Sequence, residues 1–406
     1  MTDNSIIQVS DTVKWIGVLD KELVTFDIVM ETRFGTTYNS YFIDADKKAI
    51  IDTAKESFSE EYLAKVRKVV DPSKIEVIVL NHTEPDHSGN VKNLLDLAPN
   101  AKVYGSRQAI NYLTEIINAP FESEIVKDGD ILSLGNRTLR FISAPNLHWP
   151  DTMYTYLEDE KILFTCDSFG AHFCDERMFD DLVGDYYTAF KYYFDVIMKP
   201  FSKFMIKAIE KVDELDLAMI CPGHGPILRS NWKDMVKKAR NLAEQYLADS
   251  ICDGNNVLVT YVSAYGYTKQ MAETIATGIT ESVQCDIKVV DIENMLLGEL
   301  EELIVRSNAI LIGSPTINQN TVLPVYKMFS LINPIRDKGK KAAAFGSYGW
   351  SGEAVKLIEE HLRALKLNVV MDGMSSRFFP GNEKTEALIE YGRDFASELL
   401  KNRPAS

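Results

Sequence analysis

The pattern of hydrophobic and polar positions divides this chain of 406 residues into two parts. Up to about residue 250, short apolar runs recur and predict strands. These strands are expected at residues 13–18, 38–43, 49–52, 75–80, 102–104, 139–143, 153–157, 162–165 and 217–221. Helical spacing predicts helices at residues 59–69, 109–117 and 201–212. Many strands with helices between them favour an α/β fold in which two packed sheets are covered by helices.

The second part shows a regular alternation of strand and helix patterns. Its predicted strands are residues 256–262, 286–290, 309–312, 341–345 and 368–371, and its predicted helices are 268–281, 297–305, 321–331, 352–364 and 383–401. Five strands with crossover helices form a parallel, doubly wound sheet, which binds ligands at the carboxyl ends of its strands. A charged helical stretch at 233–249 and a short polar stretch at 250–255 separate the parts. We therefore predict two domains, residues 1–250 and 255–402.

A cluster of metal-binding residue types follows the predicted strand at 75–80. Residues 81 to 90 read Asn-His-Thr-Glu-Pro-Asp-His-Ser-Gly-Asn, and the donors among them are His82, Glu84, Asp86 and His87. If the chain stays extended through residue 86, alternate side chains point the same way, so that His82, Glu84 and Asp86 face one cavity. A turn at residues 88–89 then brings in His87. A purely structural role is difficult to explain, because unpaired buried charge costs several kcal/mol.

Further candidate donors lie in loop-like contexts elsewhere in the first part. Three are histidines: His148 in Asn-Leu-His-Trp-Pro, His172 in Gly-Ala-His-Phe and His224 in Pro-Gly-His-Gly-Pro. Asp167 follows the apolar run at 162–165. A single histidine beside Pro or Gly is more often an ordinary loop residue than a ligand. Together with the cluster, however, these residues supply enough nitrogen and oxygen donors for two metal ions.

Three loops at the predicted strand ends of the second part are rich in Gly and hydroxyl residues. The first, residues 263–268, reads Ser-Ala-Tyr-Gly-Tyr-Thr and precedes a helix, whose free N–H groups form a site for a phosphate. It matches neither Gly-x-Gly-x-x-Gly nor Gly-x-x-x-x-Gly-Lys, which disfavours a dinucleotide or a nucleoside triphosphate. The others are residues 313–318 and 346–352. Tyr348 and Trp350 in the last loop are either stacking partners for a planar ring or ordinary core aromatics.

The composition of the chain disfavours several classes of function. The formal net charge of −15 and the pI near 5.0 disfavour binding to nucleic acid or to an anionic membrane. Residues 1–20 lack a basic segment followed by an apolar stretch, and no run approaches the length needed to span a bilayer, so we expect a cytoplasmic protein. The five cysteines form no Cys-x-x-Cys pair, which makes a disulfide scaffold or a fused zinc or iron-sulfur module improbable.

The second part resembles flavodoxin in its three loops and its five-strand alternation. The resemblance implies bound FMN, with Tyr348 and Trp350 near the isoalloxazine ring. The implied FMN contacts are Ser263, Tyr265, Gly266, Tyr267, Thr268, Pro315, Thr316, Asn318, Ser347, Tyr348, Gly349, Trp350 and Gly352.

The first part resembles a metallo-β-lactamase domain, an αββα sandwich, in its His-x-x-x-Asp-His motif and its final Gly-His-Gly. It departs from the zinc hydrolases of that superfamily at Glu84, where they generally have His. A carboxylate is a harder, anionic ligand and suits iron better than zinc. Taken together, the two parts resemble the flavodiiron proteins in their minimal two-domain form, over essentially the whole chain.

The flavodiiron resemblance implies roles for the donors. One iron would be held by His82, Glu84 and His148 and a second by Asp86, His87 and His224, with Asp167 bridging both, although the His at the position of His87 is not a ligand in every member. Tyr193 resembles a tyrosine beside the diiron pocket. Phe26-Asp27 stands where some members have a His. His172 and His361 match no ligand role and are expected to be structural or solvated.

The resemblance also implies a reaction and partners. The expected activity is reduction of O2 to water, of NO to N2O, or of both, with electrons passing through FMN from a separate rubredoxin or a reduced deazaflavin. A head-to-tail homodimer or a dimer of dimers is expected. Two alternatives remain: a zinc hydrolase fused to a flavodoxin module, and an electron-carrier flavoprotein whose first half has lost its metals. Glu84 disfavours the zinc hydrolase, and the full set of donor positions disfavours the carrier that has lost its metals.

Overall fold

The computed structural model describes residues 5–26, 30–250, 256–378 and 381–401. The chain divides into two compact units, residues 1–246 and 247–406. No helix in these described ranges combines the length and the apolar character needed to cross a bilayer.

The first unit is built on two large sheets. Its strands in chain order are β1 (Ile7–Gln8), β2 (Val13–Trp15), β3 (Val18–Asp20), β4 (Thr25–Phe26), β5 (Met30–Glu31), β6 (Thr36–Tyr38), β7 (Tyr41–Ile43), β8 (Lys48–Ile51), β9 (Ile75–Leu80), β10 (Lys102–Gly105), β11 (Ser123–Ile125), β12 (Ile131–Ser133), β13 (Thr138–Ser143), β14 (Met153–Leu157), β15 (Ile162–Cys166) and β16 (Met219–Pro222). One sheet has the order β1-β2-β7-β8-β9-β10-β11 and the other the order β12-β13-β14-β15-β16. Strands β8 to β11 pair in parallel, as do β15 and β16.

Helices cover the outer faces of the two sheets, except for one four-residue helix that comes soon after β9 and carries buried polar residues. They are α1 (Ser59–Val69), α2 (Pro85–Ser88), α3 (Val91–Leu97), α4 (Arg107–Ile117), α5 (Tyr187–Tyr193), α6 (Ser202–Asp213) and α7 (Trp232–Ser250). Alternation along β9 explains the layering: Val77 and Val79 enter the core between the sheets, whereas Ile78 enters the core beneath α1, α3 and α4. Leu163 of β15 faces a third core under α5, α6 and α7. The predicted αββα sandwich is confirmed.

Several segments of this unit differ from the predicted elements. The strand expected at 38–43 is interrupted at residues 39–40, which separate β6 from β7. The strand expected at 13–18 is two strands, because the chain leaves the large sheet after Trp15 and β3 pairs with β6 instead. Gly17 permits this change, since a Cβ there would lie 2.2 Å from the carbonyl oxygen of Tyr38. The helical segment from α5 through a π-helical turn at Phe194–Met198 was not predicted. It positions Tyr193.

The second unit is a parallel sheet with helices on both faces. Its strands are β17 (Asn256–Tyr261), β18 (Asp286–Asp291), β19 (Ala309–Pro315), β20 (Lys341–Tyr348), β21 (Asn368–Val369) and β22 (Met374–Arg377), and its helices are α8 (Tyr267–Ser282), α9 (Leu297–Arg306), α10 (Leu323–Leu331), α11 (Glu353–Ala364) and α12 (Asn382–Leu400). The order β18-β17-β19-β20-β21 is that of a doubly wound fold. One core lies under α9, α10 and α11, and the other under α8 and α12.

The fifth position of this sheet differs from the prediction. A single strand was expected at residues 368–371, but β21 ends at Val369, and β22 then pairs with the later part of β20. Between them the chain bulges at Gly373, whose N–H donates to the Glu359 carboxylate. A Cβ at Gly373 would lie 2.3 Å from a methyl group of Val355, so the bulge depends on this glycine.

Close packing of α8 on α12 provides a test of the second core. A Cβ at Gly278 of α8 would lie 2.0 Å from the carbonyl oxygen of Ile389 in α12. Gly278→Ala should therefore force the helices apart and destabilise the second unit by roughly 1–3 kcal/mol. Differential scanning calorimetry would report a lower transition temperature for this unit.

The matched control is Gly298→Ala in α9, where a Cβ would meet nothing within 4 Å. This variant should keep or slightly raise the transition temperature, because Ala is the better helix former. Equal transition temperatures for Gly278→Ala and the unmodified protein would contradict the close packing.

Candidate functional site

The predicted metal donors converge at one end of the first unit. His82 follows β9, Asp167 follows β15 and His224 follows β16, so three parallel-paired strands deliver donors from their carboxyl ends. His148 comes from the loop between β13 and β14. His82, Asp167 and His224 are almost completely buried.

The chain does not stay extended through residue 86, so that expectation was wrong. Pro85 starts the short helix α2, and the N–H groups of His87 and Ser88 bond to the carbonyl oxygen of Glu84 at 2.9 and 3.0 Å. Pro is favoured at a first helical position because its φ is already suitable and it has no N–H to satisfy. The turn places Asp86 and His87 in a different donor group from His82 and Glu84, although the rings of His82 and His87 remain 5.6 Å apart.

The donors therefore form two groups. The first comprises His82, Glu84, His148 and Asp167, and the second comprises Asp86, His87 and His224, with the ligand atoms of each group within 4.8 Å of one another. In the first group, Glu84 Oε2 lies 2.8 Å from His148 Nε2 and 3.3 Å from His82 Nε2. In the second, Asp86 Oδ2 lies 3.1 Å from His224 Nε2 and 3.4 Å from His87 Nε2.

Asp167 faces both groups with different oxygens. Its Oδ2 lies 3.5 Å from His82 Nε2 and 3.8 Å from His148 Nε2. Its Oδ1 lies 3.1 Å from His87 Nε2 and 3.5 Å from His224 Nε2. This is the arrangement that a carboxylate bridging two metal ions requires.

Hydrogen bonds orient two of the imidazoles. His82 Nδ1 donates to Asp151 at 3.1 Å, and Asp151 is itself held by the N–H and hydroxyl of Thr83 at 2.7 and 2.8 Å. His224 Nδ1 donates to the carbonyl oxygen of Thr37 at 2.6 Å. Both bonds leave Nε2 free for a metal, as in many metalloproteins. Sequence reasoning missed Thr37, because a backbone carbonyl gives no side-chain signal.

Backbone geometry fixes Asp167 and His87. Cys166 has a φ of +48°, which turns the chain at the end of β15, and its carbonyl oxygen accepts from Gly223 at 2.6 Å. A Cβ at Gly223 would lie 2.7 Å from His87 Cε1. The glycine before His224 is therefore required for the two donor segments to pack together.

The electrostatics of the donor set fit bound cations. Both carboxylate oxygens of Asp86, Oδ2 of Asp167 and Nδ1 of His87 are buried without a hydrogen-bond partner in the described part of the chain. Burial by itself lowers the pKa of His87, but the negative charges of Asp86 and Asp167 outweigh burial and raise that pKa to about 9. Protons thus balance the buried carboxylates in the absence of metal, and metal binding would displace them.

His172 and Phe26 lie beside the second group. His172 is 4% exposed, and its ring centroid lies 4.3 Å from that of Phe26 and 4.8 Å from that of Tyr193. Its Nδ1 shares a hydrogen bond of 2.9 Å with the Thr36 hydroxyl. His172 is therefore a buried residue and not a solvated one. Asp27, which follows Phe26 in the sequence, lies outside the described residues. In the second unit, His361 stacks on Phe329 at 4.7 Å.

The three loops of the second unit meet at the carboxyl end of its sheet. The Thr268 and Ser347 hydroxyls share a hydrogen bond of 2.8 Å, and Thr316 N–H donates to the Ser347 carbonyl oxygen at 2.8 Å. In the first loop, the Ser263 hydroxyl accepts from Lys269 N–H at 3.2 Å, and Gly266 has a φ of +82° immediately before α8. Tyr265, Tyr267 and Pro315 lie in the same loops.

A cavity of about 210 Å³ separates the second and third loops. Its lining includes Thr316, Asn318, Gly349 and Trp350, which were predicted, and Gln319, which was not. Trp350 is 78% exposed and Tyr265 is 83% exposed. Trp350 is therefore not a core aromatic. Tyr348 packs on Gly352, where a Cβ would lie 3.2 Å from its ring. The cavity, the exposed rings and the open helix start fit a planar ring with a phosphate.

Comparison with known proteins matches both units. Residues 36–225 match the family described as ODP family beta lactamase, and residues 259–392 match flavodoxin. A solved structure of similar fold is rubredoxin oxygen:oxidoreductase from Desulfovibrio gigas, with a TM-score of 0.68, 28% identity, and coverage of 97% of this chain and 98% of that chain.

Relatives match nearly the whole chain. The type A flavoprotein fprA of Rhodobacter capsulatus is 41% identical over 97% of this chain and 91% of its own length. The flavo-diiron protein FprA2 of Clostridium acetobutylicum is 39% identical over 97% of this chain and 99% of its own length. The chain belongs to the flavodiiron protein family. Another relative of this flavodiiron protein, named nitric oxide reductase, from Moorella thermoacetica, is 34% identical over 97% of this chain and 98% of its own length.

Asp167 lies between the two donor groups, and this position provides a test of the metal centre in this flavodiiron protein. Asp167→Ala should lose iron from both positions, because one carboxylate faces both donor groups, while FMN stays bound in the other unit. Iron and FMN per chain would be measured by elemental analysis and by flavin absorbance.

Asp216→Ala is the matched control, since Asp216 is an exposed carboxylate paired with Lys161 on the surface. It should keep both metals. Unchanged iron content in Asp167→Ala would contradict the bridging position.

Proposed function

We propose that this flavodiiron protein reduces O2 to water, NO to N2O, or both, at a non-haem diiron centre that receives electrons through FMN. The observation that carries the proposal is the Asp167 carboxylate, whose two oxygens face two separate donor groups. Relatives support both substrates, because one is named nitric oxide reductase and a similar structure is named rubredoxin oxygen:oxidoreductase.

The ligand assignment follows the two groups. We assign His82, Glu84 and His148 to one iron, Asp86, His87 and His224 to the other, and Asp167 to both. When bound, two ferrous ions and reduced FMN would together supply the four electrons that reduction of O2 to two waters requires.

We assign to Tyr193 the role of a hydrogen-bond donor that keeps its proton beside the metal centre. Its phenol O–H donates to Asp167 Oδ1 at 3.1 Å. Burial and the negative charge of Asp167 raise the pKa of Tyr193 well above its usual value. The phenol therefore keeps its proton at neutral pH. Because its single O–H is directed at Asp167, it would donate to a group bound at the site only by turning away from that carboxylate.

Glu84 separates this proposal from a zinc hydrolase. Its position next to His82 and His148 places an anionic oxygen among imidazole nitrogens, which favours iron. The anionic set of Glu84, Asp86 and Asp167 also offsets most of the positive charge of two ferrous ions.

Metal content and turnover test the function together. Protein purified without oxygen from iron-replete cells should contain close to two irons per chain. With reduced rubredoxin or a reduced deazaflavin as donor, it should consume O2, NO or both. Zinc at both positions that iron does not displace, without O2 or NO consumption, would favour the hydrolase.

We further propose a cytoplasmic head-to-tail homodimer, or a dimer of dimers, with an external rubredoxin or deazaflavin donor. Electron transfer needs a short distance between cofactors, and a second chain can place its FMN beside the irons of the first. Sedimentation of the active holoprotein should give a dimer or tetramer. A fully active monomer would contradict this arrangement.

A further inference from the structure

A cavity in the first unit lies beside α5 and has a volume of about 180 Å³. Its lining is mostly apolar and aromatic, but it also includes two threonines and a charged, exposed arginine: Thr32, Arg33, Phe34, His172, Thr188, Ala189 and Tyr192. The rings of Phe34 and Tyr192 are 46% and 40% exposed, so the cavity reaches the protein surface. Ala189 is buried and supplies an apolar wall.

His172 forms the inner end of this cavity. Its Nδ1 is held by the Thr36 hydroxyl at 2.9 Å, which fixes the orientation of the ring. Its Nε2 is buried and has no hydrogen-bond partner among the residues that the structure describes. A buried polar atom without a partner costs free energy, so a group that hydrogen-bonds to Nε2 is expected there.

The other side of the His172 ring faces the metal donors. Its centroid lies 5.2 Å from that of His224 and 4.8 Å from that of Tyr193. Tyr193 in turn donates to Asp167. One imidazole therefore separates the cavity from the second donor group.

We propose that this cavity is the passage by which uncharged diatomic molecules reach the metal centre, with His172 as the positioning residue at its inner end. The proposal rests on the proposed function, because it concerns the route of the same substrates. An enclosed apolar cavity of about 150 Å³ in another protein takes up xenon. The cavity here differs because it opens to the surface beside Arg33, but it is large enough for a diatomic molecule, and the apolar wall that Phe34 and Ala189 supply suits an uncharged one. The free Nε2 supplies the polar contact that orients the molecule beside Tyr193.

Three variants distinguish the role of the cavity as a passage from the role of His172 in positioning the diatomic molecule. Thr188→Trp fills the cavity from an exposed helix position and should not disturb the fold. His172→Phe removes the nitrogen and keeps a ring, whereas His172→Gln keeps a hydrogen-bonding group. Lys191→Trp is the control, because Lys191 is an exposed residue of the same helix that does not line the cavity.

Xenon-pressurised crystals test the cavity without turnover. The unmodified protein and Lys191→Trp should show xenon beside His172, and Thr188→Trp should not. In stopped-flow mixing with the reduced holoprotein, Thr188→Trp should slow NO association by about tenfold or more at unchanged iron content, and Lys191→Trp should not. Absence of xenon in the unmodified protein, or unchanged NO association in Thr188→Trp, would overturn the passage.

The N–O stretching frequency of bound NO tests the role of His172. It should shift in His172→Phe and return towards the original value in His172→Gln. An identical frequency in all three proteins would overturn the positioning role. If the unmodified reduced protein with two irons binds neither NO nor O2, the proposed function fails instead, and the xenon experiment still tests the cavity.

Discussion

The buried carboxylate of Asp167 is the constraint on which the organisation of the first unit depends. A carboxylate that is 2% exposed costs several kcal/mol to desolvate, and its Oδ2 finds no hydrogen-bond donor in the described part of the chain. The hydrogen bond from Tyr193 to Oδ1 offsets part of that cost, and nearby positive charge offsets more. Imidazoles on either side of Asp167 and two further carboxylates make a site that two cations stabilise better than protons do.

The fold brings this donor set together through strand ends. Val77 and Val79 point from the same face of β9 into the core between the sheets, which places β9 against the second sheet. The residues that follow β9, β15 and β16 then meet at the same end of the sandwich. Tight backbone features complete the geometry. The left-handed turn at Cys166 and the missing Cβ at Gly223 let donor segments approach more closely than larger residues would permit. Packing energy of the sandwich thus keeps the charged cluster in place.

The donors and the layers could be predicted from the sequence because both rest on local patterns. Apolar alternation identifies β9, and the donor residue types after it have few structural uses. The turn at Pro85 was predictable in principle from the preference of Pro for a first helical position, but an extended chain satisfied the donor spacing equally well. Long-range contacts were not predictable. The Thr37 carbonyl, the bulge held by Glu359, and the burial of His172 all depend on residues distant in sequence.

In the proposed ligand assignment, the donors would hold the metals in the same way whether O2 or NO binds. Discrimination between the two molecules would then depend on groups that contact the diatomic itself. Around the second donor group these are Phe26, His172 and Tyr193, whose rings pack against one another. Phe26 offers no hydrogen bond, while the Tyr193 phenol stays protonated. His172 therefore adds a buried Nε2 without a hydrogen-bond partner in the described residues, and it packs on the apolar ring of Phe26 on one side and on Tyr193 on another.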